Sequence, residues 1–351
     1  MIRIFSKRSV RGPCSLLLFI LNAGIFLYFL APRLCAQESS QPPQAGIKAT
    51  TEIVKVDASV LDRHGNFVGG LAQPRFRVLD DGVVQPVVFF APVESPAQVL
   101  VLLETSPAVY LIRSEHLTAA YALLDGLAAD DEVALVTYAQ APQALLAFTR
   151  DKSEFAAALG HVQYTLGMGN LNFFDSVSTV LDWIAPLRGK RAIVLLTTGL
   201  DSSPPQRWDA LVEKLKADDV VLFPVALGGS LRQPTSRKKK KSKAPPEPDE
   251  SAGPANTMSF AKADGALLAL ARITGGQAYF PESPNDFVPI YRQIASALRH
   301  QYLLGVAPQH DGKFHSLTVQ ILDEGGPPGA ASVKHAEYQI FAREGYLAPA
   351  R

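Results

Sequence analysis

The sequence predicts an α/β protein with a doubly wound, mainly parallel sheet and a small β-sandwich domain built from the N- and C-terminal flanking segments. Runs of Val, Leu and Ile recur at residues 99–103, 191–196 and 220–227, with amphipathic helical patterns between them. Such alternation is typical of parallel strands that helices cover on both faces. Strand patterns without intervening helices occur at residues 52–90 and 301–346, which predicts the second, smaller β domain.

Residues 1–36 have the pattern of a signal peptide. Basic residues precede an apolar run at residues 16–31, and Ala36 offers a small side chain for cleavage before Gln37. An uncleaved membrane anchor is the alternative, but the apolar run is short for a membrane span. We therefore expect export to the periplasm or the cell exterior, with cleavage favoured over retention as an anchor. The polar, Pro-containing residues 37–50 are predicted to be a linker.

Both cysteines, Cys14 and Cys35, lie within this leader. The mature chain would therefore have no disulfide, no thiolate metal site and no cysteine nucleophile. Lipidation of Cys35 is disfavoured, because Pro32 and Arg33 stand where a lipidation box has small apolar residues. The leader contains five basic and no acidic residues, so the mature chain is mildly acidic. Nothing in this charge indicates nucleic-acid binding.

The N-terminal β unit is predicted at residues 51–92. A strand with alternating polarity comes first, and a hairpin follows with its turn at Asp81 and Gly82, where Asp-Gly supplies positive φ angles. The hairpin strands are expected at residues 76–79 and 83–90. A unit this small buries too little surface to fold alone. We expect it to pack with the C-terminal β segment at residues 301–346.

The central α/β domain is predicted at residues 97–300. Its expected elements, in order, are a strand at 99–103, a helix at 117–127, strands at 132–139 and 144–149, helices from Asp151 and at 173–184, a strand at 191–196, a helix at 208–215, a strand at 220–227, a helix at 260–273, a strand at 277–280 and a helix at 287–300. Asp151 places a carboxylate at a helix N-terminus, where the helix dipole favours it.

An insertion is predicted to interrupt this domain at residues 230–257. A basic run begins at Arg237 and ends at Lys243, and a Pro-rich acidic stretch follows it. Low complexity with dense charge predicts a disordered, solvated loop. The alternative is a patch that contacts an anionic partner or membrane surface.

Polar residues follow the strand at residues 99–103. Glu104, Thr105 and Ser106 stand at its carboxyl end, where ligands of open α/β sheets bind. Their oxygens could ligate a hard cation. The same residues could form a turn and cap the next helix, and from these three residues alone the cap is favoured.

Several short motifs in order resemble the von Willebrand factor type A-related proteins abundant in acidobacteria. The resemblance covers most of the mature chain and implies a von Willebrand A-like, Rossmann-type domain with a leading β unit. The motifs that carry it are Phe76 to Gly82 with Gln85, Leu102 to Ser106, Leu195 to Gly199, Tyr302 to Gly305, and Ala342 to Tyr346.

The resemblance also implies a metal-ion-dependent adhesion site at the carboxyl edge of the sheet. In that family the first loop supplies an Asp and two Ser. Here Glu104 replaces the Asp, Ser106 is kept, and Ala108 stands at the second Ser. The longer Glu side chain shifts the carboxylate, which the strict octahedron of Mg²⁺ tolerates poorly.

The other two loops of this site also depart from the family pattern. The second loop should supply a Thr, but that position falls near Asn170 or Leu171. The third loop should supply an Asp, which Thr198 replaces, although Asp201 lies three residues later. We therefore expect a degenerate site at Glu104, Ser106, Thr198 and Asp201, with no cofactor and at most weak binding of Mg²⁺ or Mn²⁺.

The resemblance implies an exported, non-catalytic protein-interaction module of the adhesion type. Its protein partner is expected to dock on the sheet edge near Glu104, Asn170 and Thr198. The alternative is a functional Mg²⁺- or Mn²⁺-dependent adhesion module that uses Glu104, Ser106 and Asp201.

An enzyme is not expected. The seven histidines are scattered along the chain. The sequence contains no Gly-x-Ser-x-Gly elbow, no His-Glu-x-x-His pair and no phosphate-binding Gly-Lys-Ser/Thr loop. Nucleophilic catalysis needs a placed base, and the sequence indicates none.

Overall fold

The computed structural model describes residues 52–110, 112–165, 169–232, 259–322 and 337–350. Three predicted features lie outside the described residues: the signal peptide at 1–36, the linker at 37–50, and the basic run from Arg237 to Lys243. None of the helices in the described ranges has the length and apolar character needed to cross a membrane.

The described strands are β1 (Val54–Asp62), β2 (Phe76–Asp80), β3 (Val83–Gln85), β4 (Phe89–Glu94), β5 (Ala97–Glu104), β6 (Glu132–Tyr138), β7 (Pro142–Thr149), β8 (Lys190–Thr197), β9 (Val221–Ala226), β10 (His300–Val306), β11 (Phe314–Ile321), β12 (Tyr338–Phe341) and β13 (Gly345–Leu347). The described α-helices are α1 (Pro107–Tyr110), α2 (Arg113–Gly126), α3 (Lys152–Gly160), α4 (Phe173–Ile184), α5 (Gln206–Ala217), α6 (Gly229–Arg232), α7 (Phe260–Thr274) and α8 (Phe287–Arg299).

A five-stranded sheet forms the centre of the fold, with strand order β7-β6-β5-β8-β9. Strand β5 pairs in parallel with β6 and β8, β8 pairs in parallel with β9, and β7 is the antiparallel edge. The predicted doubly wound, mainly parallel sheet is confirmed. Val99, Val101 and Leu103 belong to one buried cluster, and Leu100 and Leu102 to another. Both faces of β5 are therefore covered, which explains its unbroken apolar sequence.

The sixth central strand, predicted at residues 277–280, is reduced to a single contact. Tyr279 makes one isolated parallel bridge with Val225 of β9. Gly276 precedes this segment and Pro281 follows it, and both residue types end strands. The prediction of a full strand is therefore wrong.

Two four-stranded sheets combine the N-terminal and C-terminal segments. Their orders are β12-β1-β10-β4 and β13-β11-β2-β3. Strand β1 pairs antiparallel with β10, and β2 pairs antiparallel with β11. Val56 and Val78 from the N-terminal strands share one buried cluster with Leu304 and Val319 from the C-terminal strands. These contacts support our prediction of one small β domain from residues 51–92 and 301–346.

The hairpin at Asp81 and Gly82 forms as predicted, with φ angles of 48° and 81°. Its second strand is shorter than predicted, because β3 ends at Gln85 and Pro86 has no N–H to continue the ladder. The chain then crosses to the other sheet, where β4 pairs with β10. The predicted strand at residues 83–90 is thus two strands in two sheets.

The predicted boundary of the insertion at residue 230 is also wrong. Residues 230–232 belong to α6, a short helix that follows β9. The side chain of Arg232 is largely buried and packs against the central domain. Because Arg232 directly precedes a low-complexity sequence, a prediction from composition assigns it to the disordered insertion.

Candidate functional site

Three parallel strands end side by side at the carboxyl edge of the central sheet. Glu104 is the last residue of β5, Tyr138 the last of β6 and Thr197 the last of β8. The register pairs Glu104 with Tyr138, and Leu103 with Leu196 of β8. Parallel pairing therefore brings these polar side chains, which are far apart in sequence, to one point.

The carboxylate of Glu104 accepts hydrogen bonds from the first loop and from the ends of β6 and β8. Its Oε2 atom accepts from the backbone N–H of Thr198 at 2.6 Å, from the Thr198 hydroxyl at 2.8 Å and from the Thr197 hydroxyl at 3.0 Å. Its Oε1 atom accepts from the hydroxyls of Ser106 and, at 3.1 Å, Thr198. The Tyr138 hydroxyl lies 3.3 Å from Oε2 and 2.6 Å from Thr197 Oγ1.

This carboxylate is fully buried, with 0% of Glu104 and 0% of Thr198 exposed. Burial, and next the negative charge of Glu104, raise the pKa of Tyr138 well above its ordinary value. Tyr138 therefore keeps its proton and remains a hydrogen-bond donor at neutral pH.

Arg232 adds a positive charge to this network. Its guanidinium donates to the backbone oxygen of Thr198, forms an ion pair with Asp264 of α7, and donates to the Leu227 oxygen at 3.1 Å. Burial lowers the pKa of Arg232 to about 10, and attraction to Glu104 opposes that shift. The side chain therefore stays charged at neutral pH and faces the negative potential of Glu104.

The first loop does not cap a helix. The Thr105 hydroxyl donates to the Tyr138 backbone oxygen at 3.1 Å, and the Ser106 hydroxyl donates to Glu104. Both hydroxyls are thus engaged across the sheet edge. Ser106 directly precedes α1, and its backbone oxygen accepts from the N–H of Val109 at 3.2 Å, so the expected turn is present. Its hydroxyl donates to Glu104, and the described hydrogen bonds include no side-chain cap from this loop, so the expected side-chain cap is wrong.

Asp201 is also buried, but its hydrogen-bond donors are different from those of Glu104. Its carboxylate accepts from the N–H of Ser203 at 2.7 Å and from the N–H of Phe174 at 3.2 Å, close to the start of α4. Burial raises the pKa of Asp201 above its ordinary value, and these hydrogen bonds oppose the rise. The structure therefore brings Glu104, Ser106 and Thr198 together and bonds Asp201 to backbone donors.

The described residues of the second loop, 161–165 and 169–172, contribute no hydroxyl to the carboxylate. The N–H of Leu171 donates to Ser202 Oγ at 2.8 Å, so this loop is tied to the third loop. Asn170 is exposed and lines a pocket of about 190 Å³ together with Ser106, Ala108 and Asp201. This pocket is the accessible part of the sheet edge in the described residues.

The solvent exposure of the site residues changes the expected partner-binding surface. Glu104 and Thr198 were expected to contact a partner, but each forms part of the buried network and presents no surface. Of the three expected contact residues, only Asn170 reaches solvent. Sequence reasoning also missed Tyr138 and Arg232. The position of Tyr138 at the end of the adjacent strand was a usable signal.

No family model matches the sequence, and no curated protein matches it. Among solved structures, BatB from Bacteroides thetaiotaomicron is similar with a TM-score of 0.41 and 17% identity, over 58% of this chain and 98% of that chain. A von Willebrand factor type A structure from Catenulispora acidiphila has a TM-score of 0.41 and 9% identity, over 85% of this chain and 75% of that chain. The SpRpn10 VWA domain has a TM-score of 0.36 and 16% identity, over 56% of this chain and 93% of that chain. The strand order and registers given above define the fold independently of these similarities.

Proposed function

We propose that this chain is an exported, non-catalytic protein-interaction module of the von Willebrand factor A type, in which a hydrogen-bond network replaces the metal ion of the adhesion site. The observation that carries the proposal is the saturated, buried carboxylate of Glu104. The motif resemblance supports the family assignment, and the N-terminal sequence supports export.

The atoms around Glu104 do not fit a divalent cation in this arrangement. A cation needs lone pairs directed at it, whereas the Thr198 N–H and the surrounding hydroxyls direct protons at the carboxylate. Arg232 places a positive charge beside the same group and would repel a second cation. The network therefore compensates the buried charge without an ion.

We propose a non-catalytic role because a substrate has no access to the carboxylate of Glu104. A fully buried carboxylate whose oxygens are occupied by internal donors cannot reach a substrate. We place the partner instead at the pocket beside the network, where Pro107, Gln140 and Asn170 are exposed. A protein surface that inserts a side chain into this pocket would contact the first, second and third loops together.

The alternative remains a Mg²⁺- or Mn²⁺-dependent adhesion module with an altered site. One observation favours it: Ser106 and Asp201 line the same pocket, so an incoming ion would find oxygen atoms from two loops. Such an ion would have to draw Glu104 away from the Thr198 donors. That rearrangement leaves buried donors unsatisfied, which costs about 1–3 kcal/mol for each group.

Calorimetric titration with MgCl₂ and MnCl₂ tests the proposal. The natural protein should show no saturable binding at millimolar concentration that depends on Ser106. The triple variant Glu104→Asp, Ala108→Ser, Thr198→Asp restores the family's oxygen ligands, and we expect it to gain saturable binding. The single variant Ala108→Ser is the matched control, and we expect it to gain no saturable binding over the natural protein.

Tight binding by the natural protein that disappears in Ser106→Ala would overturn the proposal and favour the metal-dependent alternative. A triple variant that folds but binds nothing would also count against it. The family's ligand set would then be insufficient on this backbone, and the loss of those ligands would not explain the absence of an ion.

A further inference from the structure

A second polar cluster lies on the flanking sheets, at the turn between β2 and β3. The positive φ angle of Asp81 in this turn directs its carboxylate toward β11. Strand β11 pairs with β2, and the N–H of Ser316 donates to Asp81 Oδ1 at 2.8 Å. This pairing places His315 of β11 beside both Asp80 and Asp81.

The ligand atoms of these three residues lie at chelating distances. His315 Nδ1 is 2.8 Å from Asp81 Oδ2 and 3.5 Å from Asp80 Oδ1, and the three ligand atoms all lie within 4.8 Å of one another. Two atoms that each lie about 2.1 Å from one Zn²⁺ ion are separated by roughly 3.0 to 3.4 Å. Asp81 is exposed, so a small adjustment of its side chain toward Asp80 and His315 would bring all three atoms onto one ion.

Asp80 supplies a second observation that points to a ligand, because the His315 ring at 3.5 Å is the one described polar contact of its Oδ1 atom. This residue is only 3% exposed, and its Oδ1 atom is buried without a hydrogen-bond partner. Its other oxygen, Oδ2, accepts from the Tyr346 hydroxyl at 3.0 Å, which fixes the carboxylate. Oδ1 is thereby directed at the His315 ring. A buried carboxylate oxygen without a partner is costly, and a metal ion would satisfy it.

Asp311 holds the ring of His315 from the opposite side. Its Oδ1 atom lies 2.9 Å from His315 Nε2, and its Oδ2 atom lies 4.0 Å from the Lys313 ammonium. Histidines that bind metals commonly donate their second ring N–H to a carboxylate, which fixes the tautomer. Nδ1 faces Asp80 and Asp81, and a bound ion would take the place of the proton that Nδ1 shares with Asp81 Oδ2.

The charge of the cluster favours a divalent cation. Three carboxylates surround one imidazole, so even a protonated His315 cannot neutralise them. Asp81 and Asp311 are exposed, so an ion can enter from solvent.

We propose that Asp80, Asp81 and His315 bind one divalent transition-metal ion, with Asp311 as a positioning residue for the histidine. One imidazole and two carboxylates are a ligand set that suits Zn²⁺, and three protein ligands leave a position open to solvent or to a partner group. The site lies on the flanking sheets, so it goes beyond the proposed function and does not depend on Glu104.

Titration of the untagged protein with ZnCl₂ tests this site, with Co²⁺ absorption as a second readout of the coordination geometry. We expect one saturable equivalent in the natural protein. Asp81→Asn should abolish saturable binding without straining the turn, because Asn tolerates positive φ angles. Asp311→Asn should weaken binding by roughly 10- to 100-fold, since it removes only the partner of the ring.

His310→Asn is the matched control, because it removes an exposed histidine of the loop before β11 and should leave binding unchanged. His315→Asn should abolish binding, and circular dichroism checks that it folds. The inference is overturned if the natural protein shows no saturable Zn²⁺ binding, or if Asp81→Asn and His315→Asn bind as the natural protein does. Either result would leave His315 as an imidazolium paired with carboxylates.

Discussion

Thr198 donates to Glu104 twice: its backbone N–H lies 2.6 Å from Oε2, and its hydroxyl lies 2.8 Å from the same oxygen. This pair joins the ends of β5 and β8. Both donors belong to a single residue of the third loop. The longer side chain of Glu reaches the third loop directly. The central claim of our account is that this contact closes the sheet edge without an ion.

The first prediction concerns Thr198→Val, which keeps the side-chain shape and removes the hydroxyl. We expect a loss of about 1.5–3 kcal/mol in the free energy of unfolding, because the hydroxyl bonds to a buried charge. Urea denaturation measures this loss. Thr318→Val, on the exposed side of β11, is the control and should stay within about 0.5 kcal/mol of the natural protein. Equal stability of the two variants would show that the network contributes little.

The second prediction compares the contribution of Arg232 to stability with that of the segment after it. Replacing residues 233–257 with a short Gly-Ser link should change stability little, because the cost of closing a loop grows only logarithmically with its length. Starting the same replacement at residue 230 also removes Arg232 and its ion pair with Asp264. That change should cost on the order of 3 kcal/mol.

Arg232→Ala in the otherwise intact chain is the companion variant to these two replacements. It should lose about as much stability as the replacement that starts at residue 230. Two replacements with equal melting temperatures would contradict an anchoring role for Arg232.

The third prediction concerns pH and Lys190 at the start of β8. Burial lowers the pKa of Lys190 from 10.5 to about 8, and attraction to Asp57 and Asp131 opposes the shift. The unfolded chain therefore binds more protons between these two values, and stability rises with pH across that window. Lys190→Met should lack this rise, so its free energy of unfolding relative to the natural protein should fall from pH 8 to pH 10.5. Parallel curves for the two proteins would rule out the burial effect.

The fourth prediction concerns the two flanking sheets. A chain that ends at residue 300 loses nearly all of β10, together with β11, β12 and β13, so β1 and β4 lose their described partners and β2 keeps only β3. We expect the fragment 51–300 to aggregate because the apolar faces of these strands become exposed. Size-exclusion chromatography beside the full chain measures this. A soluble fragment that unfolds cooperatively would contradict the shared β domain.

The sequence predicted the central sheet well because buried parallel strands carry unbroken apolar runs. The meeting of Glu104 with Thr198 was also predictable, since both residues follow strands of one sheet edge. Their burial was not, because a polar loop residue is ordinarily solvated and the sequence does not show what covers it. Arg232 was missed because it borders a low-complexity segment. The break at Pro86 illustrates a local signal that outweighs an otherwise continuous strand pattern.

Thermal unfolding of the natural protein with and without 10 mM MgCl₂ (roughly 100 times a Kd of 0.1 mM) shows whether Glu104 closes the sheet edge without an ion. Because a ligand that binds only the folded state adds about 2.7 kcal/mol at that ratio, a working metal site would raise Tm by several degrees. We predict a change below about 1 °C, because the donors of Thr198 and Ser106 already satisfy Glu104. A rise of several degrees that is lost in Ser106→Ala would contradict the account.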